Sequence, residues 1–379
     1  MGVFEDLTAH AALSFERARM LPVEAYREPD VLRAEIAELF GRDWLCVGRM
    51  QDLVHDGDHL VAEIPAPGGS RSVLVVRDRG EVRAFDNVCV HRGARLVDCS
   101  GTTAARFTCP YHAWSYRLDG SLIGAPHIEG DRLGEVALGS IAVSTWQGFV
   151  FVNQDPGAAP RAPRLAGLAE IIERYEPAGY EVVHRERLVW NTNWKLLVEN
   201  FIDAYHVFHV HRASFGADGD STADTEVHPG THAWTHHRVV ERSGPDLAAP
   251  ASPLRGDWRK TIVLAAVFPG LVLQLQPDWM WSLRLQPRGT ESVMIDAEVS
   301  ISVSSRAAVD DVDAWTRDLV AFLDRVNGED RPVVEGVASS MAGPQFTRGP
   351  WSSLERNVFD FDRYVATRLA GAAQASRSS

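Results

Sequence analysis

Between Cys89 and His112 the sequence reads CVHRGARLVDCSGTTAARFTCPYH, and two cysteine–histidine pairs stand in it, Cys89 with His91 and Cys109 with His112. Gly93 follows the first pair and Pro110 lies inside the second, so each pair can occupy a tight loop and the two loops can face each other. A structural zinc site is one use of such residues, although zinc modules usually set Cys beside Cys and His beside His at short spacings, whereas both pairs here are mixed. Mixed pairs suit a two-iron cluster. Thiolates hold one iron and two neutral imidazoles the other, an arrangement that raises the potential of a [2Fe–2S] centre far above that of the all-cysteine type. Cys46 and Cys99 have no matching histidine and read as small buried or half-buried side chains.

A second set of candidate ligands lies in WKLLVENFIDAYHVFHVH, residues 194–211. Read as a helix, this segment puts Glu199, Asp203 and His206 on one face through the i,i+4 and i,i+3 relations. Regular helical geometry then makes His209 the partner of His206, and His211 becomes the partner only if the helix ends or widens after His206. Two histidines and one carboxylate form the facial triad of iron(II) oxygenases, which leaves three positions for O₂ and substrate-side chemistry. The carboxylate has to come from further along the chain, where Asp324, Glu329, Asp330, Glu335 and Asp360 are candidates. Asp360, in the alternating VFDFDRYV, reads as a solvated helix residue. Pro332 favours a helix start just after Asp330, a position that an ordinary N-cap would also occupy.

Both sets resemble those of a known family. CxH, seventeen residues and CxxH is the Rieske pattern, and NVCVHRGARL with CPYHAWSYRLDGSL looks like the Rieske segment of the non-haem iron ring-hydroxylating oxygenases. The resemblance implies that Cys89 and Cys109 bind one iron of the cluster and His91 and His112 the other. It selects His206 and His211 for the mononuclear iron, because ENFIDAYHVFHVH matches a pattern in which Asp-x-x-His precedes a further His, and it leaves His209 as a packing residue. In the family the third ligand is an Asp followed five positions later by a Glu near the start of a long helix, which picks Asp330 with Glu335 in NGEDRPVVEG. Asp203 acquires a distinct role, bridging a cluster histidine to an iron histidine across a subunit boundary in a head-to-tail homotrimer, since one carboxylate can accept from two imidazole N–H groups. Asn200 and Tyr205 match family positions near the iron, and an ordinary buried hydrogen-bonded pair would look the same. The helix motif is one residue shorter between Asn200 and Asp203 than in naphthalene-type dioxygenases. With the PD-aromatic segment in FPGLVLQLQPDWMWSLRLQPRG, that brings the chain nearer the choline and glycine-betaine monooxygenase branch.

The elements that have to position these residues follow from periodicity. Residues 1–40 carry helical patterning broken at Pro22 and Pro29, a lead-in of short helices to which no chemistry is assigned. Residues 41–155 hold β-rich runs such as HLVAEIPA, RSVLVVRD and GFVFVNQDP, an all-β [2Fe–2S] domain built around the ligand loops. After the Pro/Ala-rich connector PGAAPRAPRL, residues 156–379 alternate strands at 180–190, 231–242, 261–276, 279–287 and 291–303 with helices at 194–205, 307–327 and 352–369. The fold class is therefore α+β, a Rieske domain followed by an antiparallel-sheet, helix-covered, helix-grip-like catalytic domain with the mononuclear iron. Trp279, Trp281, Leu283 and Leu285 share one strand face, as a pocket wall or as sheet core. The last ten residues, AGAAQASRSS, read as frayed.

The net charge of −13 over 379 residues excludes a basic footprint for nucleic acid and disfavours an anionic membrane surface, and no segment approaches a bilayer span. Four cysteines, two of them claimed by a cluster, suit the reducing cytoplasm. No dinucleotide or flavin fingerprint occurs, so electrons from NAD(P)H have to arrive through a separate reductase, directly or by a ferredoxin. The expected activity is that of the oxygenase component, hydroxylating or demethylating a small organic substrate with O₂; cis-dihydroxylation is the alternative. A Rieske electron-transfer scaffold with an inactive second site and a zinc hydrolase are the rivals from other classes.

Overall fold

In the computed structural model, which describes residues 2–129, 135–215, 224–242, 244–343 and 346–375, the chain divides into two units, Phe40–Pro163 and Met1–Leu39 with Arg164–Ser379. Among its described residues the first unit contains ten strands: β1 Leu45–Arg49, β2 Asp58–Ala66, β3 Gly69–Asp78, β4 Glu81–Asp86, β5 Gly101–Thr102, β6 Arg106–Thr108, β7 Ser115–Arg117, β8 Leu122–Gly124, β9 Ser140–Trp146 and β10 Phe149–Asn153. Seven of them form a sheet in the order β1-β10-β9-β4-β3-β2-β5, and β6-β7-β8 form a second, smaller one. Leu74, Val76, Phe85, Phe107, Trp114 and Tyr116 make a core in which Cys89 and Cys109 are also buried.

The second unit is built on a seven-stranded antiparallel sheet. Its strands are β11 Glu181–Trp190, β12 Thr225–His228, β13 Trp234–Val240, β14 Thr261–Val267, β15 Leu271–Leu275, β16 Trp279–Gly289 and β17 Ser292–Ile301, in the order β11-β17-β16-β15-β14-β13-β12. The helices are α1 Val3–Ala11, α2 Glu24–Arg27, α3 Pro29–Glu35, α4 Ala166–Ile172, α5 Trp194–Ile202, α6 Val207–Val210, α7 Arg212–Phe215, α8 Val303–Arg306, α9 Val312–Ser340 and α10 Arg356–Ala375. One face of the sheet receives α5, where Phe201 meets Trp281 at 5.8 Å between ring centroids, and α10, where Asn357 donates to Thr235 at 2.7 Å. Trp279, Trp281, Leu283 and Leu285 point to that helix-covered face and are all buried. On the other face Arg185 and Arg284 pair with the buried Glu298 at 3.0 and 3.1 Å.

The break at Pro29 is as expected, since α2 ends at Arg27 and Pro29 opens α3 at its first position, where a missing N–H costs nothing. Several expectations change. The long helix α9 starts at Asp311, whose side chain caps Ala314 at 2.9 Å, so Asp330 lies mid-helix and Pro332 is inside it. A proline there removes one hydrogen bond and crowds the backbone carbonyl four residues back, that of Gly328. Asp360 is not solvated. It is 1% exposed and accepts from Gly230 N at 2.5 Å, Thr235 Oγ1 at 3.1 Å and Arg356 Nε at 3.1 Å. Cys46 is buried, but Cys99 is exposed. The last helix runs on to Ala375, and the remaining residues 376–379 of the expected frayed end lie outside the described ones.

Candidate metal centres

Two hairpins of matching geometry carry the first ligand set. The bridge Val88–Arg95 closes one and the pair Thr108–Ser115 the other. Inside them Cys89 N donates to Ala94 O and Cys109 N to Trp114 O, both at 2.7 Å, while Gly93 N and Ala113 N return to the two cysteine carbonyls at 2.9 and 3.1 Å. Each loop turns through a positive φ at the same place, 76° at Gly93 and 58° at Ala113. Glycine takes that conformation freely, whereas Ala113 has to be held in it by the surrounding loop.

The result is a two-sided site. Cys89 and Cys109 face inward, 1% and 3% exposed, and the imidazoles of His91 and His112 lie at the solvent side with ring centroids 4.8 Å apart. Trp114 stacks flat on His91 at 4.7 Å and Tyr111 tilts against His112 at 3.7 Å. Burial works against a charged Cys109, but the backbone N–H groups of Tyr111 and His112 and the Cys89 side chain outweigh it and lower the thiol pKa. The buried Tyr116 hydroxyl lies 3.2 Å from Cys89 Sγ. Inward sulfur and outward imidazole fit a cluster whose thiolate-held iron is buried and whose imidazole-held iron meets solvent.

The second set gathers around α5, α6 and α9. Helix α5 ends at Ile202, before His206 rather than after it, because Asp203 takes extended backbone angles and its carboxylate caps the next turn: Oδ1 accepts from Tyr205 N at 2.6 Å and Oδ2 from His206 N at 3.3 Å. That break swings His206 and His211 together. Their Nε2 atoms are 3.3 Å apart, and Asp330 Oδ1 from α9 lies 3.4 Å from the first and 3.3 Å from the second. His206, His211 and Asp330 thus form a group whose ligand atoms could hold one ion.

Carboxylates hold the far nitrogens, with Asp203 Oδ2 3.2 Å from His206 Nδ1 and Glu329 Oε2 2.8 Å from His211 Nδ1. With a proton on each Nδ1 for these contacts, the two Nε2 lone pairs and the carboxylate oxygen become three acceptors with no hydrogen among them. Asp330 Oδ1 is indeed buried without a hydrogen-bond partner. A divalent cation satisfies all three at once, so the residues fit a facial-triad iron. The same field shifts the titrations. Burial lowers His206, but the nearby Asp203 and Asp330 carboxylates outweigh it and lift its pKa to about 9; burial raises Asp330, but the nearby His206 and His211 imidazoles outweigh it and hold the carboxyl at about 2. Protons and metal compete for this site.

His209 is exposed on α6, 6.1 Å from the Phe208 ring, and stands outside the group; it is a surface residue instead of a packed one. Asn200 is half-buried and offers its backbone oxygen to Asp203 N at 3.3 Å, while Tyr205 is exposed with its ring 5.6 Å from that of Phe208. His237 on β13 went unnoticed in the sequence. Burial pushes its pKa down to about 4 beside Asp203, so it is neutral and leaves the Asp203 charge to His206.

A profile of ring hydroxylating alpha subunits (catalytic domain) matches residues 177–371, and one of Rieske [2Fe-2S] domains matches residues 43–143. The glycine betaine monooxygenase oxygenase subunit of Chromohalobacter salexigens is 27% identical, over 96% of this chain and 89% of its own. The carnitine monooxygenase oxygenase subunit of Acinetobacter baumannii is 30% identical, over 71% of this chain and 74% of its own. Among solved structures, a quaternary ammonium Rieske monooxygenase in complex with an inhibitor superposes with a TM-score of 0.80 at 23% identity, covering 96% of this chain and 98% of that one. Naphthalene 1,2-dioxygenase from Rhodococcus sp., bound to indole, gives 0.78 at 20% identity, covering 97% and 98%. The chain belongs to the ring-hydroxylating oxygenase alpha subunits, as the terminal oxygenase component of a Rieske non-haem iron system that takes its electrons from a separate reductase.

Proposed function

We propose that the protein oxidises a small quaternary ammonium compound, removing an N-bound carbon or hydroxylating a carbon close to the charged nitrogen, and that it acts as a monooxygenase. The observation that carries the oxidative chemistry is the convergence of His206, His211 and Asp330 with both Nδ1 atoms held by carboxylates. The substrate class is supported by the relatives, which are named for glycine betaine, carnitine and choline.

In this reading Cys89 and Cys109 bind the inner cluster iron, His91 and His112 the outer one, and His206, His211 and Asp330 the mononuclear iron. The bound metals supply one-electron transfer and O₂ activation. The chain's own residues do the positioning. Asp203 fixes the His206 tautomer, and its Oδ1, which already accepts one N–H, has a lone pair left for an imidazole N–H of a neighbouring subunit in a homotrimer. Asn200 and Tyr205 flank that carboxylate. The protein works in the cytoplasm with a reductase, directly or through a ferredoxin. Among the described residues no helix is long and apolar enough to cross a membrane.

The test combines the purified protein with a Rieske-system reductase, NAD(P)H and O₂ and screens carnitine, glycine betaine and choline beside naphthalene. Substrate-dependent NAD(P)H use with an oxidised or demethylated ammonium product is expected. A cis-diol from naphthalene with no turnover of any ammonium compound refutes the reading.

A further inference from the structure

Of the two imidazoles at the triad, His211 is the more enclosed. Its side chain is 4% exposed against 16% for His206, and Phe215 closes its edge in a T-shaped contact at 5.3 Å. Its two nitrogens face consecutive residues of α9. Nε2 lies 3.3 Å from Asp330 Oδ1, and Nδ1 lies 2.8 Å from Glu329 Oε2. Neighbours on a helix point about 100° apart and seldom act on one group. Here the imidazole ring spans that angle, and the longer Glu side chain reaches its outer nitrogen while the shorter Asp stays at the inner one. The contact is also tighter than the 3.2 Å between Asp203 and His206.

We propose that Glu329 is a positioning residue for the mononuclear iron: its carboxylate keeps the proton of His211 on Nδ1, aims the Nε2 lone pair at the metal and adds the negative charge that strengthens that bond. The proposal rests on the reading of His206, His211 and Asp330 as the iron ligands. Asp203 also accepts backbone N–H groups on both oxygens, from Tyr205 at Oδ1 and His206 at Oδ2, and in that reading is shared with a neighbouring subunit, so holding His206 is one of several duties. Among the described residues Glu329 has no hydrogen bond or ion pair besides the one to His211. The two carboxylates divide the work, with Glu329 serving metal retention and Asp203 serving the link between centres.

The experiment uses the full chain with its cluster intact and its mononuclear iron removed by a chelator, titrated anaerobically with Fe(II) against a competing chelator. Glu329→Gln keeps size and one acceptor but loses the charge, and about tenfold weaker binding is expected; Glu329→Ala loses both, and about 100-fold is expected. Glu335→Gln is the control on the same helix, since Glu335 accepts from Asn191 N at 3.0 Å and from Arg331, away from the triad, and parental affinity is expected. With Co(II) in the site, the shifted, solvent-exchangeable N–H proton signal of His211 should broaden away in Glu329→Ala while that of His206 stays. Cluster absorbance and circular dichroism report folding, and the isosteric Gln variant keeps the test open if the Ala variant does not fold. Parental Fe(II) affinity in Glu329→Gln, with a weakened His211→Ala, overturns the proposal alone. Parental affinity in His211→Ala overturns the iron-site reading beneath it.

Discussion

Two buried side chains define chemistry that can be tested one residue at a time. Tyr116 Oη lies 3.2 Å from Cys89 Sγ, and burial raises its pKa, so the hydroxyl keeps its proton and can donate to a cluster thiolate. Hydrogen bonds to cluster sulfurs stabilise the reduced, more negative state. Tyr116→Phe should therefore retain the cluster and lower its midpoint potential in a spectroscopic redox titration; an unchanged potential would assign the contact to packing. Glu199 accepts from Tyr26 Oη at 2.8 Å and meets Asp362, which is fully buried. Burial raises both carboxyls, Glu199 to about 7, with their mutual interaction adding to the rise at Asp362, so the pair shares a proton in the folded state. A folded-state pKa above the unfolded value means that the stabilisation is complete below the ordinary carboxyl range and is lost as pH rises through about 7. A tenfold difference in proton affinity between the folded and unfolded chain is worth about 1.4 kcal/mol, so the rise at Glu199 alone should lower parental stability by on the order of 2–3 kcal/mol between about pH 5 and about pH 8. Denaturation profiles should show that Glu199→Gln flattens this slope, and a slope identical to the parent's refutes the shared proton.

Elements decide what the lead-in and the last helix are for. The lead-in belongs to the second unit, where Leu7, Leu21, Val31 and Leu39 are fully buried. Glu35 on α3 holds Lys195 Nζ of α5 at 2.5 Å and Trp194 Nε1 at 2.8 Å, with both members of the ion pair at most 1% exposed. Removing one partner of a buried pair strands the other, at about 3–5 kcal/mol. Glu35→Ala should lower the urea midpoint accordingly, and loss of α5 order should carry the mononuclear iron away with it. Asp360→Ala removes the acceptor that joins α10 to Gly230 and Thr235 and should cost about 2–4 kcal/mol while leaving the iron in place, which metal analysis of the folded protein checks. The sequence showed the ligand loops, most of the strands and the α+β class, because those signals are local: Cys-His spacing, alternation and turn residues; it ran β14 and β15 together over 261–276 and passed over β12. It misplaced what depends on distant partners. Asp360 looks solvated in VFDFDRYV until β13 is seen beneath it. Asp330 looks like a helix start because Pro332 follows it, and only the Asp311 cap shows that α9 begins well before it and runs through the proline. Glu329 was visible as a carboxylate candidate, but its bond to His211 joins residues more than a hundred positions apart.

At the scale of the whole molecule the open question is which cluster serves which iron. In the proposed head-to-tail trimer each subunit has one directed interface, and each interface would pair one chain's cluster with its neighbour's triad. The prediction uses two defective chains. Cys109→Ala removes a thiolate of the cluster and leaves the iron ligands whole; His206→Ala removes an iron ligand and leaves the cluster whole. Each variant alone should be inactive. Unfolded and refolded together, or co-expressed with different affinity tags, they should form mixed trimers in which a working interface arises wherever a His206→Ala chain donates to a Cys109→Ala chain. Random assembly of equal amounts places one such interface in three of every four trimers, so about a quarter of the parental activity per chain is expected. Adding Asp203→Asn to the Cys109→Ala chain, which carries the intact triad, should slow that remaining activity, because the bridge to the donating cluster is then made without its charge. The same substitution placed on the His206→Ala chain should change nothing, because the Asp203 of that chain faces no working iron. Mixed assemblies that recover no activity, while size matches the parent and cluster content is about half the parental amount, would confine electron transfer to a single chain and leave Asp203 as the cap of its own turn.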